Sequence, residues 1–162
     1  FGLHPSEPAQ APARYAKWLE QDKAGATLRD YADRGEFAAR LLRDNPRLSQ
    51  AQADFLAANF SQRQPDGRYG YAADPWHRVT NPILYRFEEA KACWRAVRAP
   101  VLWVVARDSS LYKEFAARSG EYAERLASFA RLREVVIEDC GHMLQHDQPQ
   151  QLASVLEAFL AE

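Results

Sequence analysis

Several features that define other classes of protein are scarce in this sequence of 162 residues. Its two cysteines are too few for a disulfide framework. Its longest apolar runs, such as residues 101–106, fall far short of the roughly 20 residues that a membrane-spanning helix needs. Lysine plus arginine (21) almost balance aspartate plus glutamate (22), so no field of one sign favours nucleic acid or an anionic membrane. We therefore expect a cytoplasmic protein with neither partner.

What the sequence does contain is enough apolar material for a packed core. Hydrophobic residues make up 47% of the chain and aromatic residues 12%, which excludes a compositionally disordered protein. The length fits one domain of ordinary size. The chain begins with phenylalanine rather than methionine and has no targeting pattern at its start, which is consistent with truncation of a longer protein.

The first hundred residues contain capping and turn signals that are typical of short helices. Asp33 and Glu36 have the spacing of a capping box, and Ser49 and Gln52 repeat it, each ahead of an apolar stripe. The turn sequence at residues 65–67, followed by alternating tyrosines, predicts a short hairpin. We predict that this region is mainly α-helical.

The pattern changes after Pro100. Residues 101–105 form a continuous, β-branched apolar run, which is typical of a strand buried on both faces of a parallel sheet. A helical stretch and a second apolar run at residues 135–137 complete a β-α-β unit, and a final helix is predicted with Asp147 as its N-cap. Two strands cannot bury both faces and both edges alone, so we expect further strands upstream or from a partner.

Two polar loops follow these strands. The first contains Asp108 and the second contains His142, preceded by Gly141, which we expect to allow a tight turn. Since the carboxyl ends of adjacent parallel strands share one edge of a sheet, the aspartate and the histidine should lie close together. A carboxylate that fixes the imidazole tautomer and stabilises the imidazolium is the arrangement that general-base catalysis requires.

These two loops carry a resemblance to a known family. Residues 99–108 (APVLWVVARD) resemble the penultimate strand and acid loop of α/β-hydrolases, and residues 140–149 (CGHMLQHDQP) resemble the histidine loop. The resemblance implies Asp108 as the acid and His142 as the general base. It also implies a helical cap over residues 1–97, similar to that of the bacterial serine hydrolase-like group, and the C-terminal part of the hydrolase core over residues 98–162.

The chain departs from the family pattern in one respect. The Gly-x-Ser-x-Gly elbow that carries the family nucleophile does not occur in this sequence, and the first strands and oxyanion loop have no counterpart either. The fold class expected is therefore a partial α/β-hydrolase: a mostly helical cap, then two parallel strands with a crossover and C-terminal helices. We expect the isolated chain to lack the nucleophilic step.

Other residues are weaker candidates for a functional role. Cys140 is close to His142 in sequence, but a buried cysteine in a tight loop is a poor thiol nucleophile. Cys93 is interpreted as a core residue of a helix. No metal ligands occur at a suitable spacing, and triad chemistry requires no cofactor, so neither is predicted.

The predicted function is that of a fragment of a serine-type hydrolase, acting on a carboxylic ester or similar small acyl substrate, with its nucleophile upstream of Phe1. The missing N-terminal half, or a second copy of the chain, would complete the sheet. The alternative is a non-catalytic helical binding module on a degenerate hydrolase scaffold, for which no nucleophile is needed.

Overall fold

The computed structural model describes residues 4–118 and 120–162. Within this part of the chain the α-helices are α1 (Ala11–Ala24), α2 (Arg34–Asp44), α3 (Gln50–Phe60), α4 (Phe87–Ala96), α5 (Ser110–Ala117), α6 (Glu121–Ala127), α7 (Leu144–Asp147) and α8 (Pro149–Leu160). The strands are β1 (Asp30–Tyr31), β2 (Ser61–Arg63), β3 (Tyr69–Tyr71), β4 (Val101–Ala106) and β5 (Leu132–Ile137). Two short 3₁₀ helices lie at Pro8–Gln10 and Pro75–Arg78.

The residues separate into two compact units. The N-terminal unit is Glu7–Leu84, and the C-terminal unit combines Tyr85–Glu162 with the described residues of the first six. Helix α4, which the sequence analysis placed within the cap, groups with the C-terminal unit. The stacked rings of Trp94 and Phe129, 5.6 Å apart, and a 2.5 Å hydrogen bond from Lys91 to Glu124 show how it packs there. That residues 1–97 act as a cap stays a prediction.

Helices α2 and α3 of the N-terminal unit begin where the sequence predicts, although the Glu36 side chain accepts from the Ala32 N–H rather than completing a capping box with Asp33. The Asp33 carboxylate accepts a hydrogen bond from the Glu36 N–H at 2.8 Å. Ser49 and Gln52 form a complete capping box, each side chain accepting from the backbone N–H of the other. Both caps satisfy backbone donors that a helix start otherwise leaves without partners.

The predicted hairpin is also confirmed. Strands β2 and β3 pair antiparallel, and β1 pairs with the other side of β3. Gly67 at the turn has a φ of 90°, a conformation that glycine adopts without steric cost. Together with α2 and α3 the sheet surrounds an apolar core whose buried members are Tyr31, Phe37, Ala38, Ala53 and Ala57.

The C-terminal unit contains the predicted β-α-β arrangement. Strands β4 and β5 pair in parallel, in register from Val101↔Leu132 to Ala106↔Ile137, and α5 and α6 connect them. The expectation of a strand buried on both faces holds only at the carboxyl end of β4, at Val105 and Ala106. The preceding four residues are half-buried, because the sheet in the described part of the chain has two strands only.

One further expectation is wrong. Cys93 was interpreted as a core residue, but its side chain is exposed on α4. The apolar face of this helix is instead formed by the rings of Phe87 and Trp94, which lie edge to face 6.0 Å apart. Helical spacing alone did not distinguish the cysteine from its larger neighbours.

Charged side chains are buried between the helices of the C-terminal unit. The guanidinium of Arg125, 0% exposed, lies 4.5 Å from the ring centroids of both Phe87 and Phe115 and donates to Glu121 at 2.7 Å. Hydrogen bonding to Arg125 holds the pKa of Glu121 below its ordinary value. Burial of an arginine is tolerated here because the charge is paired and stacked between aromatic rings.

Candidate active site

The two loops predicted to carry the chemistry lie side by side at the carboxyl ends of β4 and β5. Backbone hydrogen bonds join them: Arg107 N–H donates to the Ile137 carbonyl at 2.9 Å, and Asp108 N–H donates to the Cys140 carbonyl at 3.0 Å. The first bond continues the register of the strands, and the second links the two loops beyond the end of the ladder. Residues far apart in sequence are thereby brought to one edge of the sheet, as expected for this topology.

The side chains of Asp108 and His142 have different immediate partners. Asp108 Oδ1 accepts a hydrogen bond from Lys113 Nζ at 3.1 Å. His142 Nδ1 lies 3.3 Å from Ser109 Oγ. The loop after β4 therefore supplies a hydroxyl that contacts the imidazole, at the residue next to the predicted acid. The catalytic roles of Asp108 and His142 stay predictions.

Sequence reasoning did not single out Ser109, although a signal was present. Ser109 is the N-cap of α5, and its Oγ accepts from the Tyr112 N–H at 3.4 Å. Serine is a preferred N-cap residue, so the start of a helix directly after Asp108 was readable. Its second contact, with His142, joins two loops and leaves no local pattern in the sequence.

The histidine loop turns at a different residue from the one expected. Asp139 has a φ of 52°, the one positive φ at a non-glycine residue in the described part of the chain, whereas Gly141 does not have a positive φ. Gly141 donates its N–H to Asp147 Oδ2 at 2.7 Å. Asp147 is therefore not the N-cap of α8, which is Gln148; its carboxylate binds the backbone of the histidine loop instead.

Cys140 is anchored in the core beneath this loop. Its side chain is fully buried, and Sγ donates to the Ile137 carbonyl at 3.2 Å. It packs with Ala106 and Ile137 at the ends of the two strands. This burial agrees with the interpretation of Cys140 as a structural residue.

A cavity of about 130 Å³ adjoins the histidine. Its lining combines His142 and Ser109 with apolar and aromatic side chains of β4, α5 and α7, among them Trp103, Tyr112, Phe115 and Leu144. An apolar recess with a few convergent polar groups is the usual form of a small-molecule site. His142 is an exposed residue, so a reacting group can approach it.

An ion pair lies beside the site at the outer surface of the two loops. Arg107 makes a bidentate contact with Glu138, with distances of 2.9–3.1 Å. These hydrogen bonds raise the pKa of Arg107 and lower the pKa of Glu138. The pair adds a side-chain link between the loops of β4 and β5, with the two-point geometry that arginine and carboxylate favour.

The described residues contain no group of three or more histidine, cysteine, aspartate or glutamate side chains placed to hold a metal ion. In the same part of the chain, none of the helices has the length and apolarity to cross a bilayer.

Several solved structures share the fold of this chain over about half of their own length. The hypothetical protein PA1622 from Pseudomonas aeruginosa PAO1 is 22% identical, with a TM-score of 0.75, over 99% of this chain and 56% of its own. The thioesterase domain from the curacin biosynthetic pathway is 19% identical (TM-score 0.76), over 96% and 54%. The esterase Rv0045c from Mycobacterium tuberculosis is 18% identical (TM-score 0.68), over 95% and 48%.

The chain therefore spans about half the length of the structures that it matches, and they show its partial α/β-hydrolase fold. No curated protein matches it significantly. The model of the alpha/beta hydrolase family matches residues 3–155, which is nearly the whole chain. This chain belongs to the alpha/beta hydrolase family.

Proposed function

We propose that this chain supplies the acid and general base of a serine-type hydrolase that acts on a carboxylic ester or a similar small acyl substrate. The observation that carries the proposal is the position of His142, exposed beside an apolar cavity on a loop that is hydrogen-bonded to the loop of Asp108. Two structural relatives are named as an esterase and a thioesterase domain, and both names describe acyl transfer to water.

The nucleophile in this proposal lies in a segment upstream of Phe1. Its hydroxyl would attack the acyl carbonyl, and the unprotonated nitrogen of His142 would take its proton and later deliver it to the leaving group. The negative charge of Asp108 would stabilise the imidazolium formed between these steps. Backbone N–H groups of the upstream segment would hold the developing oxyanion.

The free edges of the sheet support an upstream segment or a second copy as a partner. Within the described residues β4 and β5 pair only with each other, so the outer edge of each strand offers backbone donors and acceptors. Size-exclusion chromatography with light scattering would distinguish the two sources. If the isolated chain has a mass of twice 18.5 kDa, a second copy is the favoured partner. If it is a monomer, an upstream segment is favoured.

The proposal is tested on the protein that includes the upstream segment, with a serine-directed fluorophosphonate probe and a short-chain ester. We expect His142→Ala to lower turnover by about 10²–10⁴-fold, and Asp108→Asn to lower it in the same direction. His77→Gln, an exposed histidine of the N-terminal unit, is the matched control and should retain activity. Full turnover in His142→Ala would exclude the proposed base.

The second candidate is a non-catalytic binding module on a hydrolase scaffold. The contact of His142 with Ser109, a residue to which the proposed mechanism gives no role, is the observation that favours it. Such a module would not react with the fluorophosphonate probe even when the upstream segment is present. Labelling of the isolated 162-residue chain would contradict both candidates, because neither places a nucleophile within it.

A further inference from the structure

A second cavity lies within the N-terminal unit, and arginines line it. Its volume is about 420 Å³, against about 130 Å³ for the cavity beside His142. The lining carries the guanidinium groups of Arg29, Arg40 and Arg78 and one carboxylate, that of Asp74. Small-molecule sites have volumes of roughly 300–1,000 Å³, so this cavity is large enough to hold an organic anion.

Two tyrosines that belong to the apolar core also line the cavity. Tyr31 is 1% exposed and lies edge to face with Tyr71 at 6.4 Å, and both rings pack against Phe37. Burial raises the pKa of Tyr71 above its ordinary value, so its hydroxyl keeps its proton at neutral pH and can donate to an anion. Because these rings are fixed by packing, little order has to be gained at this part of the cavity when a ligand binds.

Arg29 and Arg40 use only part of their hydrogen-bonding capacity within the chain. Arg29 Nη2 donates to Glu36 Oε1 at 3.1 Å, and Arg40 Nε donates to Asp44 Oδ2 at 2.6 Å. A guanidinium has five N–H donors, so each carboxylate holds its arginine in place and leaves further donors for a ligand. The guanidinium of Arg29 also lies 5.1 Å from the ring centroid of Tyr31.

Arg78 lines the cavity from the end of the 3₁₀ helix Pro75–Arg78. Among the residues that the structure describes it has no carboxylate partner, and it interacts electrostatically with the phenol of Tyr71. Asp74 caps the start of the same helix, where its Oδ1 accepts from the Trp76 N–H at 2.9 Å. An arginine without an ion pair beside a cavity favours an anionic occupant.

We propose that Arg40 and Arg78 bind the phosphate group of a small phosphate monoester beside Tyr71, with Arg29 adding positive charge to the same cavity. Tyr71 interacts electrostatically with both Arg40 and Arg78, which places the three donors around one position. A phosphate monoester offers three terminal oxygens to three donors, whereas a carboxylate has only two.

This site goes beyond the proposed hydrolase function and does not depend on it. The residues that line it belong to the N-terminal unit, whereas Asp108 and His142 belong to the C-terminal unit. Binding can therefore be measured on the 162-residue chain without a substrate or an upstream segment.

The experiment is a titration of the ¹⁵N-labelled chain with phenyl phosphate at constant ionic strength, followed by amide chemical shifts. We expect saturable binding with a Kd of about 1 mM or less, which two charge-assisted contacts and one neutral contact should reach. The largest shifts are expected at residues 29–31, 70–73 and 78, which line or adjoin the cavity. Benzoate has the same ring and a carboxylate, and it should bind at least about fivefold more weakly.

Three variants locate the binding of phenyl phosphate. Arg78→Gln should raise the Kd by about tenfold, which corresponds to the loss of one charge-assisted hydrogen bond. Tyr71→Phe keeps the ring and should raise the Kd by about threefold, through the loss of one neutral hydrogen bond. Arg43→Gln is the matched control, because Arg43 is exposed on α2 and does not line the cavity. It changes the net charge by the same amount as Arg78→Gln and should leave the Kd within about twofold.

Two results with the wild-type chain alone would overturn the proposal. These are shifts that increase linearly with phenyl phosphate, and equal affinity for benzoate. With the variants, an unchanged Kd in an Arg78→Gln chain that retains the folded amide spectrum would also overturn it. Equal weakening in Arg78→Gln and Arg43→Gln would show that net charge, rather than the cavity, attracts phenyl phosphate.

Discussion

The two units of the chain differ in the chemistry of their interiors. In the N-terminal unit the helix caps join residues three positions apart, and the buried core consists of aromatic and alanine side chains. In the C-terminal unit ionic contacts such as Lys91 with Glu124 and polar contacts such as Ser109 with His142 join residues more than 30 positions apart. The helix caps can be predicted from local sequence patterns, whereas the contacts across more than 30 positions depend on the completed fold.

This difference extends to how each unit should respond to perturbation. An apolar core loses stability when its volume is reduced, because the surrounding side chains collapse only partly into the cavity. A core that contains Lys91 and Arg125 loses stability when a charge partner is removed or neutralised, because the remaining charge is buried alone. The predictions below test this contrast.

The largest effect is expected in the N-terminal unit. Phe37 is fully buried against Tyr31 and Tyr71, with ring centroids 4.8 and 4.5 Å away, so Phe37→Ala should lower the free energy of unfolding by about 3–5 kcal/mol. Hydrogen exchange at the amides of α2 and α3 measures the loss. Phe55→Ala, on an exposed face of α3, is the control and should change the value by less than about 0.5 kcal/mol. Equal losses in the two variants would refute the assignment of the core.

A somewhat smaller loss is expected when the buried arginine of the C-terminal unit is left without its carboxylate. Glu121→Gln removes the charge partner of Arg125 and should cost about 3 kcal/mol. Protection of the α6 amides from hydrogen exchange would report it. Glu89→Gln breaks an exposed pair with Arg86 and should cost less than about 1 kcal/mol. If both substitutions have the same small effect, the C-terminal unit does not depend on buried charge.

Acid should weaken the ion pair between Glu121 and Arg125. Because the pKa of Glu121 is lower in the folded chain than its ordinary value of 4.5, the ion pair contributes fully above that value. Its contribution is lost as the pH falls through the lower folded pKa. The exchange rates of α6 amides, compared between the wild type and Glu121→Gln from pH 6 to pH 3, should converge as the pH falls. Parallel curves would contradict the role of Glu121.

The smallest effect on the free energy of unfolding is expected at a helix cap of the N-terminal unit. Ser49→Ala removes the cap of α3 and should cost about 1 kcal/mol. Urea denaturation is precise enough to measure it. Ser154→Ala, at an exposed position within α8, removes a serine that caps no helix and serves as the control. A cost at Ser154 as large as that at Ser49 would show that capping is not responsible.

The same contrast explains what could be predicted from the sequence. The caps at Asp33 and Ser49, the hairpin at Gly67 and the parallel pairing of β4 with β5 follow from local patterns, and all are confirmed. The adjacency of the two site loops follows from the parallel topology and is also confirmed.

The features that were predicted wrongly or missed involve side chains whose partners depend on the tertiary fold. Asp147 is of a residue type that favours helix N-caps, but its carboxylate accepts from the Gly141 N–H. The positive φ of the histidine loop lies at Asp139 rather than at Gly141, where the turn was expected. The contact of Ser109 with His142 was not predicted, because it joins two loops whose residues are 33 positions apart and leaves no local pattern in the sequence. Burial of Arg125 could not be read either, since its aromatic neighbours come from two other helices.

The most direct test of the central claim, that His142 is the general base of a hydrolase, is chemical rescue. The rate of ester hydrolysis by the His142→Ala variant of the protein with its upstream segment is measured against the concentration of added imidazole. The account predicts a low rate that rises with imidazole until it saturates, because the small base occupies the vacated position beside the cavity. A variant that is as active as the wild type without imidazole would contradict it.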